Sequence, residues 1–167
     1  MIQENLTVNK SLKVSKKEIL DDFLLMNVSR NISYIGRKEV FMGRAKFGVF
    51  GDGKELPQIA MSKFFRNGDF RSGYYRDQTF MMSINQLTPD QFFAQLYAHT
   101  DIKKDPHSGG RQMNCHFGTR LLNENGDWKT QTDMMNSVSD ISCVSGQMPR
   151  IVGLAYASKL YRNNKNL

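Results

Sequence analysis

Three short segments of the 167-residue chain carry side chains whose types and spacing could perform chemistry. The first, residues 73–77, reads GYYRD and places a phenol, Tyr75, beside a guanidinium, Arg76. Both groups can donate hydrogen bonds to a phosphate, and arginine does so with two parallel bonds. The alternative is a surface arginine that pairs with Asp77, and the neighbouring Asp69 and Arg71 also allow a local ion network. On the dipeptide alone this alternative is favoured.

The second segment, residues 109–118, reads GGRQMNCHFG and joins a flexible turn to His116. Histidine titrates near neutral pH, which suits proton transfer, although a lone histidine is more often structural. A catalytic pairing of Cys115 with His116 is not indicated, because adjacent residues seldom face each other. The histidines and cysteines also lack the spacing of zinc ligands, so no metal site is predicted from His99, His107, His116, Cys115 and Cys143.

The third segment, residues 142–149, reads SCVSGQMP and is a loop of small residues before a predicted helix. Such a loop lets backbone groups approach a ligand at the helix N-terminus. The alternative is an ordinary helix-capping loop, which local sequence alone favours.

The elements that position these segments are predicted to be helices. A capping pattern at Ser15 precedes apolar residues at helical spacing, which predicts a long amphipathic helix. Further helices are expected over 56–65, from Thr88, and over 149–161 with small residues for close packing. Residues 100–136 are irregular, with glycine turns at 109–110 and 125–126. The apolar residues of the first helix are Leu20, Leu24, Val28, Ile32 and Ile35, and those of the third are Phe93, Leu96 and Tyr97.

Strand patterns are missing from the sequence. The chain is therefore expected to be mainly α-helical, as one domain or as a piece of a larger protein. Forty per cent hydrophobic residues suffice for a packed core. The N-terminus, with Glu4, lacks the apolar run of a secretory signal, and no stretch is long enough to span a membrane. Two distant cysteines without a CxxC motif indicate a reducing, cytoplasmic location.

Taken in order, the three segments resemble the alpha part of the thiamin-diphosphate-dependent decarboxylating component of branched-chain 2-oxoacid and pyruvate dehydrogenase complexes. The motifs are the Tyr-Arg pair at 75–76, the GRQMxxH run at 110–116 and the VxGQxP loop at 144–149. Each is modest alone, but their order and spacing are specific, and the resemblance covers residues 15–162. It implies that residues 1–167 are the N-terminal segment of an α/β thiamin-diphosphate-binding domain.

The resemblance also implies roles for five residues. Tyr75 and Arg76 match the family's pair that binds the cofactor diphosphate. Ser142 and Val144 match loop positions that contact the aminopyrimidine, and His116 matches a histidine with a supporting catalytic role.

Two further positions bear on metals. Residues 146–147 lie where some members bind a structural potassium ion, but Gly146 replaces a threonine of the branched-chain type. The Gly-Asp-Gly triplet at 51–53 is similar to the start of the family's magnesium motif. It precedes the other motifs instead of following them, so we interpret it as the turn that begins the second helix. The magnesium motif itself is expected outside this chain.

The implied function is decarboxylation of a 2-oxoacid with transfer of the acyl group to a lipoyl arm. The implied partners are a beta-type subunit or fused beta half, which supplies an activating glutamate, and a lipoyl-bearing acyltransferase, in a homo-oligomer or heterotetramer. The alternative is a non-catalytic basic module that binds nucleic acid or an acidic protein. It is favoured by a net charge of +7 and by a basic tail comprising Lys159, Arg162 and Lys165. No recognisable nucleic-acid motif accompanies that charge.

Overall fold

The computed structural model describes residues 14–163 and is mostly helical, with one small parallel sheet. This confirms the expected fold class, a mainly helical piece of an α/β fold. The expectations drawn from Glu4 and Lys165 fall outside the described residues. The elements are α1 (Lys16–Phe41), α2 (Glu55–Ser62), β1 (Phe70–Ser72), α3 (Gln78–Ser83), α4 (Pro89–Leu96), a 3-10 turn (Gln131–Asp133), β2 (Asn136–Val138) and α5 (Gln147–Asn163).

Helix α1 begins where predicted, because the Ser15 hydroxyl accepts a hydrogen bond from the Glu18 backbone N–H at 3.1 Å. The predicted apolar stripe is largely wrong: Leu20, Leu24 and Ile35 are each at least half exposed. The buried side of α1 consists mainly of small and polar residues, Ser29, Ile32, Ser33, Gly36 and Glu39. Its two serines hydrogen-bond the side chain of Gln78 on α3, so this helix packs through hydrogen bonds as well as apolar contact.

Helix α4 has the complete capping box that the sequence predicts. The Thr88 hydroxyl accepts from the Gln91 N–H, the Gln91 side chain accepts from the Thr88 N–H, and Pro89 occupies the first turn. Such a cap stabilises a helix by about 1 kcal/mol. The buried face of α4 differs from the predicted face of Phe93, Leu96 and Tyr97. The buried residues are Phe92, Gln95 and Leu96, and Tyr97 is exposed.

The hydrophobic core lies where α3 and α4 meet the segment that contains His116. Its largest fully buried apolar side chains are Met81, Phe92 and Phe117. Burial of each contributes roughly 1.5–3 kcal/mol. Because Cys115 and Phe117 belong to this core, His116 between them is held on a rigid backbone.

The sheet pairs β1 with β2 in parallel, and Arg71 lies directly opposite Ser137. Each strand has three residues, which is too short to produce a recognisable alternation in the sequence. The irregular region before β2 is ordered locally. Gly110 has φ +77°, and a Cβ there would lie 2.6 Å from the carbonyl oxygen of Ala98, so the predicted glycine turn does require glycine.

Helix α5 extends two residues beyond its predicted bounds at each end and contacts β1. None of its described residues is fully buried. The expected close packing at Gly153 is not seen within the described chain, since no atom lies within 4 Å of a Cβ built there. Within residues 14–163, none of the helices combines the length and the apolar character needed to span a membrane.

Candidate functional site

A cavity of about 690 Å³ brings together residues from all three sequence segments. Tyr75, Arg76, His116 and Ser142 line it. The remaining wall comes from the C-terminal part of α1, from Met113 and from residues 47–52. Its volume lies within the range of small-molecule sites. Four of the five residues named from the resemblance are therefore neighbours in space, although their roles stay predictions.

The guanidinium of Arg76 is exposed and makes no ion pair with any described carboxylate. The suggested pairing with Asp77 is wrong, because the Asp77 carboxylate binds Arg71 at 2.9 Å instead. The Arg76 backbone is fixed by a hydrogen bond, because its carbonyl accepts from the Gln58 side chain at 2.9 Å. Gly51 packs against the same carbonyl oxygen, which would lie 2.3 Å from a Cβ at that position. The donors of Arg76 are thus available to a ligand in the cavity.

The ring of Tyr75 connects this arginine to His116. The Arg76 guanidinium lies 5.9 Å from the Tyr75 ring centroid, and the imidazole of His116 is nearly parallel to the same ring with its centroid 6.2 Å away. A 2.6 Å hydrogen bond joins the hydroxyls of Tyr74 and Tyr75. That bond raises the pKa of Tyr75 above its usual value, with burial adding to the effect. Tyr75 therefore stays a neutral phenol at physiological pH.

The buried imidazole of His116 has partners on both nitrogens. Nδ1 lies 3.1 Å from the carbonyl oxygen of Asn114, and Nε2 lies 2.8 Å from the hydroxyl oxygen of Ser142. A carbonyl accepts but cannot donate, so the proton of the neutral ring resides on Nδ1. Nε2 then accepts from Ser142, and the lone pairs of that hydroxyl remain free for a hydrogen-bond donor.

Asn114 is a site residue that sequence reasoning missed. Its side chain makes two hydrogen bonds with the backbone of Val49: the Val49 N–H donates to Oδ1 at 2.9 Å, and Nδ2 donates to the Val49 carbonyl at 2.6 Å. This clamp holds the residue 47–52 wall against the segment of His116. The partners are 65 positions apart, so no local signal could have indicated the contact.

Cys115 takes no part in cavity chemistry. Its side chain is fully buried, and the thiol donates to the carbonyl of Val49 at 3.2 Å. Burial raises the pKa of the Cys115 thiol well above its normal value, so the nucleophilic thiolate does not form near neutral pH. This agrees with the sequence argument against a Cys115–His116 pair.

Val144 is the one predicted site residue that the structure leaves outside the cavity. Its side chain is 71% exposed, and it does not line the cavity wall. The geometry therefore gives no support to its predicted contact with an aminopyrimidine. Nearby, a Cβ on Gly146 would lie 2.3 Å from the Ile141 side chain, so a threonine at this position would require a local shift.

The Gly-Asp-Gly triplet forms a turn before α2, as interpreted from the sequence. Gly53 has φ +88°, and Asp52 pairs with Arg37 at 2.7 Å on the cavity wall. Within residues 14–163, no group of three or more His, Cys, Asp or Glu side chains could hold a metal ion.

Comparison with known proteins assigns the chain to a family. The family model described as "Dehydrogenase E1 component" matches residues 25–167. The chain is 25% identical over 157 residues, 93% of its length, to 2-oxoisovalerate dehydrogenase subunit alpha of Bacillus subtilis, of which the match covers 42%. It is 26% identical over 142 residues, 85% of its length, to the mitochondrial 2-oxoisovalerate dehydrogenase subunit alpha of Caenorhabditis elegans, of which the match covers 28%. The chain thus spans less than half the length of either relative. Because the family model matches most of its residues, the chain belongs to the dehydrogenase E1 component family.

Proposed function

We propose that this chain supplies part of the cofactor-binding wall of a thiamin-diphosphate-dependent 2-oxoacid dehydrogenase. The observation that carries the proposal is the convergence of Tyr75, Arg76, His116 and Ser142 on one cavity. The intact enzyme would decarboxylate a 2-oxoacid and transfer the acyl group to a lipoyl arm. The names of the two relatives favour a branched-chain substrate such as 2-oxoisovalerate.

The residues present fit thiamin diphosphate by their chemistry. Arg76 offers unpaired guanidinium donors, with the neutral hydroxyl of Tyr75 on the neighbouring residue, and this suits an anionic diphosphate. Phe47, Val49 and Phe50 supply apolar surface for the ring system. When bound, thiamin diphosphate serves as the electron sink for decarboxylation, while the protein contributes orientation and electrostatics.

The proposed roles of the chain follow from these contacts. Arg76 and Tyr75 bind the diphosphate by charge-assisted and neutral hydrogen bonds. His116 fixes the direction of the Ser142 hydroxyl, so that Ser142 accepts a hydrogen bond from the bound molecule. Phe50 packs partly against the core, and with Phe47 it excludes water from one side of the cavity.

The rest of the enzyme is also inferred. We infer that residues 1–167 form the N-terminal segment of an alpha-type thiamin-diphosphate-binding domain. A beta-type subunit or fused beta half would complete the site, magnesium would be held by a motif outside these residues, and a lipoyl-bearing acyltransferase would take the acyl group. We place the assembly, a heterotetramer or homo-oligomer, in the cytoplasm.

The test combines binding and turnover. Thiamin diphosphate, thiamin and inorganic diphosphate are titrated calorimetrically into the assembled enzyme with its beta-type partner and magnesium, and decarboxylation of 2-oxoisovalerate is assayed in the same enzyme. Binding of both diphosphate-containing ligands, but not of thiamin, supports the proposal. Salt-dependent binding to random-sequence nucleic acid without thiamin diphosphate binding would instead support the basic-module alternative, which family membership already disfavours.

A further inference from the structure

We propose that Arg71, which does not line the cavity, is a positioning residue that locks together the three segments carrying the site. The proposal deepens the proposed function and rests on it. Arg71 lies at the centre of β1, and its side chain is only 6% exposed. A buried arginine is costly to desolvate, so its partners have to satisfy it closely.

Three polar side chains accept hydrogen bonds from the guanidinium. One terminal nitrogen donates to Asp77 Oδ2 at 2.9 Å and to Asp140 Oδ2 at 3.0 Å, and the other donates to Ser137 Oγ at 2.6 Å. The guanidinium also lies 5.8 Å from the ring centroid of Phe117. A single cation thereby reaches β2, the turn after β1 and the loop that precedes α5.

The partner carboxylates also hold backbone groups beside the site residues. Asp77 Oδ2 accepts from the N–H of Tyr74 at 2.8 Å, which fixes the turn that presents Tyr75 and Arg76. Asp140 Oδ2 accepts from the N–H of Phe117 at 3.0 Å, directly after His116. Asp140 also lies two positions before Ser142 in the chain.

Removal of the guanidinium would leave two carboxylates close together without a compensating cation. Their repulsion would separate the turn at Tyr74 from the segment at Phe117, because each carboxylate holds one of these backbones. The guanidinium also packs against the backbone of Gly73, where a Cβ would lie 1.7 Å from it, so the turn that holds Tyr74 requires glycine at this position. A lysine supplies the charge as a compact ammonium and lacks the flat fork that binds several partners at once.

The Arg30–Glu55 pair offers a matched control. Arg30 donates two hydrogen bonds to Glu55, at 2.6 and 2.8 Å, and so joins α1 to α2. Neither residue lines the cavity. Loss of this pair should destabilise the fold without altering the relative placement of Tyr75, His116 and Ser142.

The experiment compares Arg71→Met, Arg71→Lys and Arg30→Met in the full chain. In the chain, urea denaturation gives the free energy of unfolding, amide hydrogen exchange follows Tyr74 and Phe117, and ¹⁵N NMR follows the ring of His116. Calorimetry gives the affinity for thiamin diphosphate in the enzyme assembled with its beta-type partner and magnesium. We expect Arg71→Met to weaken thiamin diphosphate binding about tenfold or more, by analogy with the loss of metal affinity when groups that orient metal ligands are removed. Arg71→Lys should lose less affinity than Arg71→Met. It should also keep slow hydrogen exchange at one of the two amides, that of Tyr74 or that of Phe117.

The control variant Arg30→Met separates a specific effect of Arg71 from a general loss of stability. Arg30→Met should lose stability yet keep wild-type affinity, amide protection and His116 shifts. Wild-type affinity in a folded Arg71→Met chain, or equal exchange changes in Arg71→Met and Arg30→Met, would overturn the proposal. Should Arg71→Met not fold, Arg71→Lys and Asp140→Asn decide by the same measurements. If the assembled wild-type enzyme, with its beta-type partner and magnesium, binds no thiamin diphosphate, the proposed function fails, and the exchange and NMR data on the chain still judge the role of Arg71.

Discussion

Ser142 and His116, 26 positions apart in the chain, are joined by a hydrogen bond of 2.8 Å whose direction is set by a third group. The carbonyl of Asn114 accepts a hydrogen bond from Nδ1 of the imidazole, so in the neutral ring Nε2 is the acceptor. The hydroxyl of Ser142 therefore donates its hydrogen bond to Nε2 of His116. A molecule in the cavity meets an acceptor at this position, so the favoured contact is a donor such as an amino group.

This arrangement predicts the tautomer of His116. In the neutral form, ¹⁵N NMR of the ring should show a protonated Nδ1 and an unprotonated Nε2. Ser142→Ala should keep that tautomer, because Asn114 is unchanged, but shift the Nε2 resonance as its donor is lost. Ser139→Ala is the control, since it removes a hydroxyl from the same loop that is not a hydrogen-bond partner of either imidazole nitrogen. A ring protonated mainly on Nε2 would show the assignment to be wrong.

Arg76 should contribute strongly to thiamin diphosphate affinity. Arg76→Ala removes charge-assisted hydrogen bonds worth ~1.5–3 kcal/mol, which corresponds to about a tenfold or larger rise in the dissociation constant. Calorimetric titration in parallel with unmodified thiamin separates the diphosphate contribution from that of the rings. Arg66→Ala provides the control, because Arg66 is an exposed arginine outside the cavity and its loss changes the net charge equally. Equal thiamin diphosphate affinities of Arg76→Ala and Arg66→Ala would show that Arg76 does not bind the diphosphate.

The site was predictable from the sequence to the extent that its residues lie in recognisable motifs. Tyr75, Arg76, His116 and Ser142 belong to three such segments, and the structure brings these four together. From the sequence, Arg71 is predicted only as a member of a possible local ion network with Asp69. Its actual partners include Ser137 and Asp140, 66 and 69 positions away, and contacts across such separations leave no local pattern.

The fold shows a similar division. Helix starts at Ser15 and Thr88 were predicted correctly, because capping depends on side chains within three residues of the N-cap. The buried side of α1 was not predicted correctly, because hydrophobic periodicity places apolar residues at a helix interface. Here Ser29 and Ser33 are buried because Gln78 of α3 satisfies their hydrogen bonds. That compensation is visible only in three dimensions.

The two cysteines should differ sharply in reactivity. Cys143 is exposed, whereas Cys115 is buried with a pKa raised by that burial. Iodoacetamide at neutral pH should therefore modify Cys143 in the native chain and leave Cys115 unmodified, as measured by mass spectrometry of peptides. Cys143→Ser should abolish native labelling, and denaturation in urea should expose Cys115 to the reagent. Rapid modification of Cys115 in the folded Cys143→Ser variant would contradict its buried placement.

His107 should make the stability of the chain depend on pH. Its Nε2 lies 2.9 Å from the carbonyl oxygen of Gln86, and its Nδ1 lies 3.2 Å from that of Gly118. Burial lowers the pKa of His107 in the folded chain, and the two carbonyls oppose this effect without cancelling it. In its neutral form the imidazole donates from Nε2 to the Gln86 carbonyl and accepts at Nδ1 from the Gly118 N–H at 3.4 Å, so it joins the α3–α4 connection to the segment after Phe117.

Because the folded pKa of His107 is depressed, the unfolded chain takes up the proton first as the pH falls. The free energy of unfolding should thus decrease from about pH 6.5, the usual histidine pKa, down to the lower folded value. Urea denaturation at pH 7.5 and pH 5.5 measures this difference. In His107→Gln the histidine contribution is absent, so the difference should shrink, whereas His99→Gln, a change at an exposed histidine, should retain it. An undiminished pH dependence in His107→Gln would show that other groups cause the loss of stability.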